Sequence, residues 1–144
     1  MNLKSLLIAI VVAFVTVLAS DFLIHQVWLC DTYKATASQW RTEPDMKKHM
    51  PLMFLAQLLA ASAFTMIFAA CVAEKRSMSC TLKYSACMGV FSAAGQLMMY
   101  VVQPLPRSLG IKWMIAALVQ TVVLGIIVHM VYKPAPLATG AAGK

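Results

Sequence analysis

Four long apolar runs organise the chain, over residues 5–30, 50–73, 84–105 and 113–132. Within each run apolar side chains follow one another without the alternation of a half-buried or barrel strand. At about 1.5 Å of rise per residue, roughly 20 such residues cross a hydrocarbon core of about 30 Å as a helix. The pattern predicts an all-α fold, an integral membrane four-helix transmembrane bundle with short loops. Residues 1–133 form the four-span domain. Residues 134–144, rich in Pro, Gly and Ala, read as a disordered cytoplasmic tail.

The ends of the runs carry further signals. Lys4 precedes the first run, and Val17-Leu18-Ala19-Ser20 inside it resembles a signal-peptide cleavage site. The apolar character resumes at Phe22 and continues to Cys30, so a retained helix is expected. The connections are residues 31–49, 74–83 and 104–112, of which only the first is long. Within it, Thr42-Glu43-Pro44-Asp45 reads as a helix start, with a cap candidate, early acids and an early proline. A short interfacial helix over residues 44–50 is expected, lying flat on the surface, with Trp40 at headgroup level and Pro51 marking a kink or a fresh start. In the third connection, Gln103-Pro104-Leu105-Pro106 ends the third helix.

Composition narrows the picture. Hydrophobic residues make up 61% of the 144 positions and charged residues 12%, against about 25% charged in a soluble domain. Mean hydropathy is +0.78. A surface this poor in charge must face lipid, and no segment remains that could bury a separate core. The net charge of +7 does not point to nucleic acid, because Lys4, Lys75, Arg76, Lys83, Lys112 and Lys133 flank spans, where cations orient helices and meet anionic headgroups. The partners expected are the lipid bilayer and, through packing stripes described below, a second copy or other membrane subunits.

Four spans place both termini on one side. That side holds Lys4, Lys75, Arg76, Lys83, Lys133 and Lys144, six of the 12 cations; the other holds Lys34, Arg41, Lys47, Lys48, Arg107 and Lys112, also six. The tie is broken by Lys75, Arg76 and Lys83, packed between two spans, and by Asp21, Asp31, Glu43 and Asp45 on the opposite side. The termini are therefore expected to be cytoplasmic. Trp28, Trp40, Trp113, Tyr33 and Tyr100 then form an aromatic belt on the outer side, with Tyr84 and Tyr132 at the inner edge.

The chemistry-bearing residues lie mostly inside the spans. Asp21, Gln57, Gln96 and Gln120 each sit roughly seven or eight residues from the outer end of a run, a common depth of about 10–12 Å. A carboxyl or amide in hydrocarbon needs a hydrogen-bond partner. The four are expected to face one another, either as structural glue or as a proton or ion path. His25, four residues after Asp21, shares its helix face and could relay protons or hold a ligand.

Other clusters are weaker. Met46, His49, Met50 and Met53 share helical spacing, a copper(I) donor set, though methionine more often packs. Cys30, Cys71, Cys80 and Cys87 lack CxxC pairing and read as structural thiols. Ser85, Gly89 and Ala93 recur every fourth position in the third span, as Ala117, Thr121 and Gly125 do in the fourth. These stripes let helix backbones approach, within the bundle or across a dimer face. There is no nucleotide loop, GxSxG elbow or HExxH motif, so no catalytic residue, metal site or cofactor is assigned.

At His25-Gln26-Val27-Trp28-Leu29, Ala35-Thr36-Ala37-Ser38-Gln39-Trp40-Arg41, Met50-Pro51 and Gln103-Pro104-Leu105-Pro106, the chain resembles small four-span bacterial inner-membrane proteins of unknown function. The resemblance covers most of the chain outside the tail. It implies the same architecture and carries no activity with it. The expected function is a non-enzymatic accessory or structural component of the inner membrane. The alternative is a small transporter or proton-coupled permease using Asp21 and His25, and a membrane enzyme ranks third.

Overall fold

The computed structural model describes residues 2–75 and 77–135; Arg76 and the expected tail over 136–144 lie outside the described residues. Helix α1 (Leu3–Asp21) continues into a π-helical turn (Phe22–Trp28), followed by the short α2 (Cys30–Ala35) and a 3-10 turn (Ala37–Gln39). Then come α3 (Glu43–Cys71), a 3-10 turn (Ala73–Lys75), α4 (Met78–Val102) and α5 (Arg107–Val131). Four segments are long and apolar enough to cross a membrane: Leu3–Trp28, Glu43–Cys71, Met78–Val102 and Arg107–Val131. By length and composition the chain is an all-α, multi-pass membrane protein.

The ends of the bundle can be told apart by the termini. The Lys133 backbone N–H donates to Ser5 Oγ at 2.7 Å, so the start of α1 and the end of α5 lie together at what we call the terminal end. The connections after α1 and α4 lie at the far end. The α3 helix continues through Pro51, so the fresh start that was one of the two expectations there does not occur, and the short helix over residues 44–50 is its first two turns. Pro44, in the first turn, and the early acids Glu43 and Asp45 suit that start, because the first N–H groups lack intrahelical acceptors and favour negative charge. Pro51 leaves the Lys47 carbonyl without its usual donor, and the residues around it are largely exposed.

Two apolar cores hold the helices. In the terminal half, Leu6, Ala9 and Ala13 of α1 pack with Phe64 and Phe68 of α3 and Leu124 and Val128 of α5. Tyr84 of α4 adds its ring 4.9 Å from that of Phe64 and donates its hydroxyl to the Phe64 carbonyl at 2.6 Å. At the far end a smaller core surrounds Leu29, Leu105 and Leu109. Here Trp40 and Trp113, expected in the headgroup belt, pack against each other and against Tyr33. Trp40 meets Tyr33 edge-on at 5.3 Å and Trp113 at 6.1 Å. Their indole N–H groups are satisfied internally, Trp40 donating to Thr36 Oγ1 at 2.9 Å and Trp113 to the Tyr33 hydroxyl at 2.8 Å. A buried indole needs such an acceptor. Trp28 stays half exposed, with Lys112 Nζ 6.0 Å from its ring centre.

The small-residue stripes settle on each other. A Cβ at Gly125 would collide with Ser85, and one at Gly89 would stand 2.5 Å from Thr121 Oγ1 and 3.1 Å from the Leu118 Cα. The two stripes therefore form the α4–α5 seam within one chain, where close backbone approach replaces the apolar driving force that lipid removes. Ser85 and Thr81 are fully buried there, with Ser85 Oγ donating to the Thr81 carbonyl at 2.8 Å.

Candidate functional site

Between the two cores lies a chamber of about 330 Å³ to which α1, α3, α4 and α5 all contribute. Asp21, Gln57, Gln96 and Gln120 line it, as does His25. The common depth read from the sequence thus corresponds to a shared space.

Asp21 is its centre. Gln57 Nε2 donates to one carboxylate oxygen at 2.5 Å and Gln120 Nε2 to the other at 2.6 Å. Gln120 Nε2 also lies 2.8 Å from Ser20 Oγ. These contacts tie α1 to α3 and to α5. A carboxyl in hydrocarbon is tolerated where donors replace its water, as here. Gln96 lines the same chamber but makes no hydrogen bond among the described residues. Gln57 Oε1 is buried and has no partner among them. Its orientation follows from the acceptor-only carboxylate, which demands the amide N–H on the Asp21 side.

The π-helical turn begins immediately after Asp21, and nothing in the residue pattern announced it. Just before it, Ser20 Oγ donates back to the carbonyls of Thr16 at 2.8 Å and Val17 at 3.0 Å. The Asp21 carboxylate is held sideways by its two glutamines. The Leu29 N–H reaches back five residues to the Ile24 carbonyl at 2.9 Å. Such wide turns recur at functional sites because they re-aim side chains.

His25 was expected to act with Asp21. Both line the chamber, but the recorded bond of His25 is to another partner, its Nδ1 lying 2.6 Å from the Tyr33 hydroxyl. Burial pushes the Tyr33 phenol above its ordinary value, against the pull of the Trp113 hydrogen bond. The neutral hydroxyl accepts from Trp113 and donates to His25 Nδ1, an assignment that satisfies all three groups and leaves the imidazole proton on Nε2. Tyr33 and Trp113 were read from the sequence as belt residues only. The signal that could have promoted them is their spacing from the polar residues, Tyr33 about two turns beyond His25 and Trp113 about two turns before Gln120.

The remaining candidates lie elsewhere. Met46 and Met53 are exposed on α3, and His49 Nδ1 is bonded to the Asp45 carbonyl at 2.8 Å. The four cysteines are free thiols. At the terminal end, His129 Nδ1 lies 2.8 Å from Thr81 Oγ1, away from the chamber. No family model, curated protein or solved structure matches the chain.

Proposed function

We propose that this chain is a non-enzymatic protein of the bacterial inner membrane, both termini cytoplasmic, whose chamber binds a cation at Asp21 as part of a small transporter. The observation that carries this reading is the chamber itself. A carboxylate used only as glue is best enclosed among its donors, yet Asp21 borders about 330 Å³ of space together with Gln96, whose amide makes no hydrogen bond among the described residues. A carboxyl group and an uncommitted amide beside open space suit a positively charged, hydrogen-bonding guest.

The structural reading has support of its own, in the bonds from Gln57 and Gln120 that join α1, α3 and α5 through Asp21. Thermal unfolding in detergent separates the two. A ligand that binds only the folded protein raises its melting temperature by mass action. Small ammonium ions should stabilise the wild-type protein and leave Asp21→Asn unmoved. No shift with any of them, or an equal shift in the variant, would return Asp21 to a purely structural role. Reporter fusions after Lys133 test the orientation: activity on the periplasmic side would reverse it.

A further inference from the structure

The chamber has a floor, a roof and four side seams, and among the described residues one seam is left uncrossed at the level of the chamber. One turn below the chamber, Ala13, Phe64, Leu124 and Gly125 are buried in the terminal core. Above it, Trp113 forms part of the lining, backed by Trp40 and Tyr33 and by the fully buried Leu29 and Leu109. The α1–α3 and α1–α5 seams are bridged by Asp21 with Gln57 and Gln120. The α4–α5 seam is closed below by Gly89 on Thr121 and above by Gly110, where a Cβ would stand 2.9 Å from the Tyr100 ring.

The α3–α4 seam differs along its length. In the terminal half Tyr84 closes it on Phe64 and Phe68. Three turns further along α4, on the face that carries Tyr84, stands Gly95, and a Cβ there would meet nothing within 4 Å. One turn to either side of it on α4, Phe91 is 76% and Met98 72% exposed. Among the described residues no hydrogen bond or aromatic contact crosses this part of the seam. With the span ends read from the sequence, this part of the seam lies about 10–12 Å below the outer edge and would face hydrocarbon.

What the chamber offers a guest is also specific. Asp21 and the free amide of Gln96 supply acceptors, while Val17, Ala56 and Ala60 supply a small apolar wall. Acceptors beside a negative charge favour a cation that carries N–H groups, and a hydrocarbon entrance favours one that partitions into lipid.

We propose that the chamber takes an alkylammonium amphiphile from the bilayer, through the far half of the seam between α3 and α4. The proposal rests on the reading of Asp21 as a cation site and adds the guest's chemistry and its route. It is tested by isothermal titration of the full-length protein in mild detergent at neutral pH. The probes are octylamine, octyltrimethylammonium, methylamine and 1-octanol. Octylamine should bind saturably, and the quaternary analogue about tenfold more weakly because it has no N–H. Methylamine and octanol should bind more weakly still, lacking the tail or the charge. Asp21→Asn should weaken octylamine binding by about tenfold or more. Gln96→Leu should do the same without loss of melting temperature, since Gln96 supports no recorded hydrogen bond. Gly95→Trp should slow or weaken octylamine binding, whereas Val90→Trp, on an exposed face of the same helix, should not. If methylamine binds as well as octylamine and depends on Asp21, the cation site stands and the amphiphile and its lateral route fall. Equal binding of the quaternary ion overturns the need for N–H donors, and an unchanged Gly95→Trp overturns the route. If no amine binds, the cation site falls with the rest.

Discussion

The terminal and far halves of the bundle use the same four helices to different ends. In the terminal half, all four meet: Phe64 and Phe68 of α3 pack beside Leu124 and Val128 of α5, Leu6 and Ala9 of α1 and Tyr84 of α4. In the far half, α3 and α4 part, and the polar side chains of the spans collect around a chamber instead of a packed centre. Both halves are held by contacts that do not depend on excluding water, since lipid is as apolar as the side chains it meets. The terminal half uses close backbone approach and aromatic packing. The far half uses a carboxylate, two amides and an aromatic cap. A small membrane bundle can thus keep one half rigid while leaving a polar space in the other.

The sharpest way to break this comparison is at the glycines. Gly125→Leu drives a side chain into Ser85 at the tightest point of the α4–α5 seam and should cost about 3 kcal/mol or prevent folding. Unfolding titrations in mixed detergent micelles would measure it. Asp21→Leu should follow, at roughly 1–2 kcal/mol, because it strands the Gln57 and Gln120 amides in an apolar setting. Asp21→Asn should lose less than about 1 kcal/mol, since an amide oxygen can still accept from one of them.

How far these features could be read in advance depended on their physical range. The spans were legible because lipid demands about 20 consecutive apolar residues, and the runs near residues 5–30 and 113–132 satisfy that without help from tertiary contacts. The polar layer was legible for a similar reason: Asp21, Gln57, Gln96 and Gln120 stand out against apolar neighbours. Which of them touch was not. Gln57 and Gln120 reach Asp21 whereas Gln96 does not, a matter of helix rotation that periodicity leaves open. The π-helical turn after Asp21 left no mark in the residue pattern. The continuity of α3 past Pro51 depends on a helix already begun at Glu43. The fates of Trp40 and Trp113 depended on finding Tyr33 and Thr36, which only the folded far end supplies.

Smaller changes refine the comparison. Tyr84→Phe removes the hydroxyl bond to the Phe64 carbonyl, the polar link that closes the α3–α4 seam in the terminal half. It should cost about 1 kcal/mol in the same titration. Gly95→Leu, on the open part of that seam, should change stability by less than about 0.5 kcal/mol, although both residues lie on one face of α4. A large loss there would mean that the far half is as tightly closed as the terminal half.

The most direct test of the central claim, that the far half encloses a cation-attracting chamber, is the reactivity of a thiol placed in it. Ser92 lines the chamber. In a protein whose four native cysteines are replaced by serine or alanine, Ser92→Cys would be exposed to a positively charged and to a negatively charged methanethiosulfonate reagent, each carrying an alkyl tail that partitions into the detergent micelle. The account predicts that the cationic reagent reacts faster, by about tenfold or more, and that Asp21→Asn removes most of the difference. Equal rates for the two reagents, or a thiol that neither reaches, would contradict it.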